Sequence, residues 1–374
     1  MANQGRVAVF VGPNQRFEIR TYPIPEPGPG EILVRVHQAN VCGSDVHVWK
    51  GEMERMGRLP PTVLGHEATG TVAALGAQAE TDSRGTPLRE GDRIVWAYYV
   101  PCRRCPVCLR GKEHACAMSL ISVHRPCEFP PHFVGGFGEY YVIRAGQARF
   151  RAPAELSDVE LAGANCALAQ VLFGLERVDL RWGESLVIQG AGGLGLYAVA
   201  VAKEMGANPI VVIDGSEARL RLAQALGADA TIALPEFPDP RARTAEVQKL
   251  TGNWGADVVV EVAGTPDPYP EGIRMLARGG RYLALGSVVP GRTFAADPSL
   301  LIGPNRSVIG VSLYPARTLF QAVEFLRRNQ HRYPLHSIAA ETFSLDQMDE
   351  AFTAAATGSA GQGGYRRIAV RPFL

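Results

Sequence analysis

Short apolar runs broken by turn residues fill the first 150 residues: RVAVFV, then EILVRVHQANV after the proline-rich PIPEPGPG, then ATGTVAALG, DRIVWAYYV and GEYYVI. Runs of this length bounded by Gly, Pro and Asn predict strands, so this half reads as mostly β. From about residue 155 the texture changes: the apolar segments SLVIQG, PIVVID, DVVVEVAG and RYLALGSV alternate with the helical runs LGLYAVAVAKEMG, EARLRLAQALGA and PYPEGIRMLARGG. That alternation predicts βαβ units and a parallel sheet. From about residue 313, ARTLFQAVEFLRRNQ has a helical period and YRRIAVRPF reads as a strand, so this segment either caps the sheet or returns to the first half. The one low-complexity run, TAAATGSAGQGG at 353–364, reads as a helix end and a mobile loop.

A chain of 374 residues exceeds what one hydrophobic core usually supports, so two domains are expected. With 46% apolar and 20% charged residues and a formal net charge of +1, there is no field to recruit nucleic acid or an anionic membrane. The expected partner is a small molecule. The first twenty residues lack the apolar core of a signal peptide, which predicts a cytoplasmic protein. LVIQGAGGLGLYAVAVA at 186–202 is the longest apolar stretch, but its four glycines predict strand, turn and helix rather than a membrane span.

Within it, Gly190, Gly192 and Gly195 fall in G-x-G-x-x-G spacing, with Gly193 and Leu194 completing the turn. The first glycine permits a tight turn, the second lets a pyrophosphate approach the backbone, and the third lets helix and strand pack closely. The following strand ends on Asp214, placed to accept ribose hydroxyls and to repel the 2′-phosphate of NADP, so NAD is the expected cofactor. Arg219 either lies over the adenosine or is a solvated helix residue.

Seven cysteines without a secretion signal disfavour a disulfide framework and favour metal or catalysis. Cys102, Cys105, Cys108 and Cys116 run C-x2-C-x2-C-x7-C, spacing that closes a tetrahedral zinc site, with an iron–sulfur cluster as the competing reading. Arg103, Arg104, Arg110 and Lys112 stand nearby to offset the thiolate charge. A nucleic-acid grip through those arginines is disfavoured by the near-neutral net charge. Taken singly, Cys42 and His66 read as structural residues.

CGSDVH at 42–47, GHE at 65–67, the four-cysteine lobe, NCALA at 165–169 and GAGGLG at 190–195 follow the order and approximate spacing of one family. In these motifs the chain resembles zinc-dependent medium-chain alcohol dehydrogenases. The resemblance implies an α/β protein: a mostly β GroES-like catalytic domain over 1–167 carrying the zinc lobe at about 98–120, a Rossmann domain with a doubly wound parallel sheet over 168–312, and a return to the catalytic domain over 313–374. It implies two zinc ions. Cys42, His66 and Cys166 would hold the catalytic one, the Cys₂His set already documented for alcohol dehydrogenases, with Glu67 beside them as an alternate or outer carboxylate. Ser44 and His47 would form a proton relay, and Asp45 would orient a ligand histidine. The implied activity is reversible hydride transfer between an alcohol and NAD in a homodimer or homotetramer built on the sheet edge near 299–314. Pocket walls are expected around Trp49, the loop 121–137 and Cys166, and the aromatic and proline content of that loop favours a secondary or cyclic alcohol. The alternatives are a polyol or amino-alcohol dehydrogenase of the sorbitol or threonine kind, and a cofactor-binding relative without catalysis. Cys127 has no counterpart in the motifs; His124 and His132 flank it, which leaves a further metal site open.

Overall fold

The structure is a computed structural model that describes residues 3–57, 59–121, 124–338, 341–357 and 367–374. A six-stranded sheet is parallel throughout, in the spatial order Ala230–Ala233, Ile210–Asp214, Leu186–Gln189, Ala256–Glu261, Leu276–Ala284, Ser307–Gly310. Leu186–Gln189 and Ile210–Asp214 are buried at every position, as strands covered by helices on both faces must be. Chain direction across the sheet reverses between Leu186–Gln189 and Ala256–Glu261, and α/β sheets of this order open a binding crevice at that point.

Two elements of this half lacked a clear signal. The edge strand Ala230–Ala233 buries only Ile232 fully, and the helix Pro240–Leu250 is polar along most of its length. The helix expected through PYPEGIRMLARGG stops at Met275, because Leu276 adopts extended backbone (φ −65°, ψ 140°) and LARGG opens the next strand. At the opposite edge, Ser307–Gly310 is largely exposed, with Ile302 and Val308 presenting apolar side chains to solvent.

The second sheet is built around Ile32–Asn40, which pairs antiparallel with Glu67–Leu75, Tyr140–Ile143 and Ile368–Val370; Arg93–Trp96 and Arg149–Arg151 extend it. A smaller sheet of Glu18–Pro23, Gln4–Phe10 and Thr62–Val63 lies beside it. Its core joins Val34, Trp96, Phe133 and Phe137 to Phe352, Ile368 and Val370 from the far end of the chain. The helix Ala316–Asn329 instead packs on Ala169–Arg177, and another cluster carries Val95 and Phe150 continuously into Leu196 and Leu319. The two sheets therefore share packed apolar material. Among the described residues no helix is long and apolar enough to cross a membrane. Of the low-complexity run, 353–357 ends the helix Met348–Thr357, while 358–364 lies outside the described residues.

Candidate active site

Cys42 caps the helix Gly43–Trp49 from extended backbone, and its N–H donates to Asp45 Oδ2 at 3.0 Å. The other Asp45 oxygen accepts the Gly65 N–H at 3.3 Å and lies 3.4 Å from His66 Nδ1. One buried carboxylate thus fixes two separate segments. Cys166 sits in a π-helical turn, Ala164–Leu168, whose Asn165 amide donates to the Trp96 carbonyl at 2.9 Å. Together these place the ligating atoms of Cys42, His66, Glu67 and Cys166 within 4.8 Å of one another.

Protonation follows from that crowding. A hydrogen bond from Cys166 holds the Cys42 thiol well below its ordinary range, and the same bond with burial holds Cys166 well above. Burial opposes charge on His66, yet the Asp45 and Cys42 charges raise it well above its usual value. Burial pushes Glu67 up to about 7 against the pull of Arg367, whose Nη2 donates to Glu67 Oε2 at 2.5 Å. Glu67 Oε1 has no hydrogen-bond partner among the described residues. Two thiols, an imidazole and a carboxylate with an orphaned oxygen, all turned inward, fit a zinc ion, which binds thiolate sulfur and neutral imidazole.

In the cysteine lobe the Cys102 and Cys116 sulfurs lie 3.6 Å apart, and Cys102–Cys108 and Cys105–Cys116 lie at 4.0 Å. Disulfides require about 2 Å. A tetrahedron with metal–sulfur bonds of about 2.3 Å has edges of about 3.8 Å, so this cage fits zinc with every corner filled. Among the described residues these two are the groupings of three or more potential ligands. Cys127 is outside them: it is fully buried, and its carbonyl accepts from His132 Nδ1 at 2.8 Å while His132 stacks on Tyr22. His132 is therefore occupied structurally.

The glycine turn follows Leu186–Gln189. Gly190 has φ 109°, and a Cβ on Gly195 would lie 2.0 Å from the Gly190 carbonyl oxygen. A Cβ on Gly192 would meet nothing within 4 Å, because that face opens on the cleft. With the N–H groups of the helix Gly193–Glu204 pointing into it, this space fits a pyrophosphate. Asp214 Oδ2 accepts the Ala191 N–H at 2.7 Å and lies 3.8 Å from Arg219 Nη1, so both side chains stand at the far end of the turn. One cleft of ≈ 1700 Å³ runs from Cys42, His66 and Cys166 past Gly192, Gly193 and Leu194 to Asp214 and Arg219. That exceeds a typical single-ligand pocket and suits a dinucleotide together with a small substrate. Ser44 and His47, one turn apart on their helix, both line it.

The walls include His47, Val48 and Met53 around Trp49 and His124 of the loop 121–137, but two details differ from expectation. Trp49 does not line the cleft; it turns into the core against Phe352, with ring centroids 5.9 Å apart. Of the described residues in 121–137, only His124 reaches the cleft, since Phe133 and Phe137 are buried in the core and Phe129 faces solvent. Several lining residues carried no local signal: Arg367 packs over Gly193 as well as pairing with Glu67, and the Tyr98 ring lies 4.8 Å from that of His66. Burial holds the His124 imidazole below its ordinary range, and its Nδ1 has no partner among the described residues.

Comparison with known proteins agrees with this geometry. Residues 28–153 match the alcohol dehydrogenase GroES-like domain and residues 193–328 the zinc-binding dehydrogenase domain. The 5-exo-hydroxycamphor dehydrogenase of Pseudomonas putida is 36% identical over 356 residues, covering 95% of this chain and 96% of that one. The L-threonine 3-dehydrogenase of Shewanella halifaxensis is 30% identical over 345 residues, covering 91% and 93%. A crystal structure of an alcohol dehydrogenase from Thermotoga maritima matches with a TM-score of 0.89 at 28% identity, covering 99% of this chain and 100% of that one.

Proposed function

The chain belongs to the zinc-dependent medium-chain alcohol dehydrogenase family, and on that premise we propose that it interconverts a cyclic secondary alcohol and its ketone with NAD. The supporting observation is the single cleft that has Cys42, His66 and Cys166 at one end and the glycine turn with Asp214 at the other. When bound, a zinc ion held by those three residues supplies a Lewis acid and the nicotinamide supplies the hydride acceptor. The remaining work falls to side chains. Ser44 receives the proton leaving the substrate hydroxyl, and half-buried His47, at the solvent end of the relay, passes it to water. Asp45 keeps His66 in the tautomer that frees Nε2 for the metal. Glu67, buried beside the ligands and paired with Arg367, balances the charge there.

Gly190, Gly192, Gly193, Leu194 and Gly195 would cradle the pyrophosphate of a bound NAD, Asp214 would accept the ribose hydroxyls and Arg219 would cover the adenosine. Cys102, Cys105, Cys108 and Cys116 would hold a second, structural zinc. Residues 168–312 form the cofactor-binding unit, and 1–167 with 313–374 the catalytic one. Tyr98, Leu59, Leu285 and Leu313 give the cleft apolar surface, which together with the relative that acts on hydroxycamphor favours a cyclic substrate. The exposed strand Ser307–Gly310 suits sheet extension into a homodimer or homotetramer, and free cysteines suit the cytoplasm. The test is NADH formation at saturating NAD with 5-exo-hydroxycamphor and cyclohexanol, against L-threonine and sorbitol. Preference for the cyclic alcohols is expected. A preference for threonine or sorbitol overturns the substrate, and metal-loaded protein that reduces NAD with no alcohol overturns the enzyme reading.

A further inference from the structure

The relay leaves one carboxylate unused. After the helix Gly43–Trp49, Gly51 (φ 75°) turns the chain, and the Glu52 N–H donates to the His47 carbonyl at 3.0 Å. That turn brings the Glu52 side chain back onto the imidazole: Oε2 lies 2.5 Å from His47 Nδ1. The second oxygen, Oε1, lies 3.0 Å from Arg292 Nη2. Arg292 comes from the other side of the cleft, in the loop after the parallel strand Leu276–Ala284. Beside it, Arg55 packs its guanidinium against Gly291, so the crossing contact is wider than one ion pair.

We propose that Glu52 is a positioning residue that links the His47 imidazole to closure of the cleft through Arg292. The inference rests on the dehydrogenase reading of His47. With Nδ1–H donated to Glu52, the Nε2 lone pair is the atom left to accept a proton from the cleft, and the carboxylate stabilises the imidazolium so formed. The proton then leaves from Nε2 to bulk water. The charged groups that act on Glu52 are His47, Arg292 and Lys50. With the ion pair made, Arg292 draws off part of the Glu52 carboxylate's charge. With that pair broken, Glu52 is left to His47 and Lys50.

Opposite substitutions separate this from a structural tie. Ring resonances of His47, assigned with a His47→Asn variant, are titrated by NMR in zinc-loaded, NADH-bound protein. Glu52→Gln is expected to lower the His47 titration midpoint by about one pH unit, and Arg292→Gln to raise it. In the double variant the Arg292 effect disappears, and Glu52→Asp, which keeps the charge one methylene short, lies between Gln and wild type. The acid limb of kcat/KM for 5-exo-hydroxycamphor oxidation moves in the same sense as each midpoint. Midpoints that stay put, that move together, or that respond to Arg292→Gln without Glu52 overturn the link. A wild-type protein that never reduces NAD with alcohol, yet shows the opposed midpoints, overturns the dehydrogenase reading and leaves the link standing.

Discussion

Gly195→Ala and Gly192→Ala each add one methyl to the same turn, and the structure sends their effects to different places. At Gly195 the new carbon would lie 2.0 Å from the Gly190 carbonyl oxygen, 3.0 Å from its carbon and 3.3 Å from Val262 Cγ2. Non-bonded atoms pack near 3.5 Å, so the overlap exceeds an ångström, and backbone cannot step aside as a flexible side chain does. The helix Gly193–Glu204 must lift from its strand. Overpacking of this kind costs about 3 kcal/mol, against about 1 kcal/mol gained by putting alanine into a helix, for a net loss of about 2 kcal/mol. At Gly192 the methyl meets nothing and the backbone (φ −72°, ψ −168°) suits any residue, so stability changes by well under 1 kcal/mol. There the methyl stands where the pyrophosphate approaches, and NADH affinity should fall at least tenfold, about 1.4 kcal/mol. Thermal unfolding of cofactor-free protein and NADH fluorescence titration read the two effects apart. A Gly195→Ala protein as stable as its parent, or a Gly192→Ala protein that binds NADH normally, refutes the assigned roles.

Cys42→Ser should abolish turnover in a protein that still unfolds cooperatively near the parent temperature, whereas Cys105→Ser should cost stability or assembly first; zinc content should fall from about two per chain to about one in either. A Cys105→Ser protein that is folded and assembled but inactive would reverse the two sites. Arg243 donates to both Glu271 oxygens at 2.7 and 2.9 Å with both side chains 10% exposed, so Arg243→Ala leaves a buried carboxylate uncompensated and should cost about 3 kcal/mol in denaturant unfolding. Burial would raise the Asp158 carboxyl, but bonds from His37 at 3.0 Å and Arg93 at 2.7 Å hold it below its ordinary value. Its contribution is therefore present above the unfolded value and lost as pH falls through the folded one. Asp158→Asn should cost about 1 kcal/mol at pH 7 and nothing near pH 2, and a cost unchanged with pH would contradict the pairing. Asp214→Ala should weaken NAD more than NADP in steady-state kinetics, because the carboxylate that rejects a 2′-phosphate is gone; an unchanged NAD/NADP ratio would remove Asp214 from cofactor choice.

Where the chemistry is local in the chain, residue type and spacing were enough to propose it. Gly190, Gly192 and Gly195 sit between a buried strand and a helix, and Cys102 to Cys116 span one short lobe, so each motif carries its own geometry. Asp45 was legible only through the resemblance that CGSDVH carries. Contacts closed by the tertiary fold left no such trace. Arg367 meets Glu67 across 300 positions, and Arg292 meets Glu52 from the loop that follows Leu276–Ala284. Trp49 misled because an aromatic at the end of a short helix can face cleft or core with equal sequence support; here Phe352, also far along the chain, draws it inward. Ala230–Ala233 escaped notice because an edge strand buries little, and burial is what periodicity reports.

The strand Ile368–Val370 lies against Ala39 and Asn40, two residues before Cys42, and Arg367 beside it reaches both Glu67 and the face of Gly193. On the ribosome, Cys42 and His66 emerge well before the segment that flanks them, since Arg367 follows Glu67 by 300 positions. A nascent chain folding from its N-terminus can form the cysteine lobe at once, since that lobe closes on itself, while the first sheet waits for its last strand. The order of synthesis therefore separates the two candidate sites in time: the cysteine lobe is made once Cys116 is, whereas the pocket of Cys42 and His66 gains its flanking strand only with Val370.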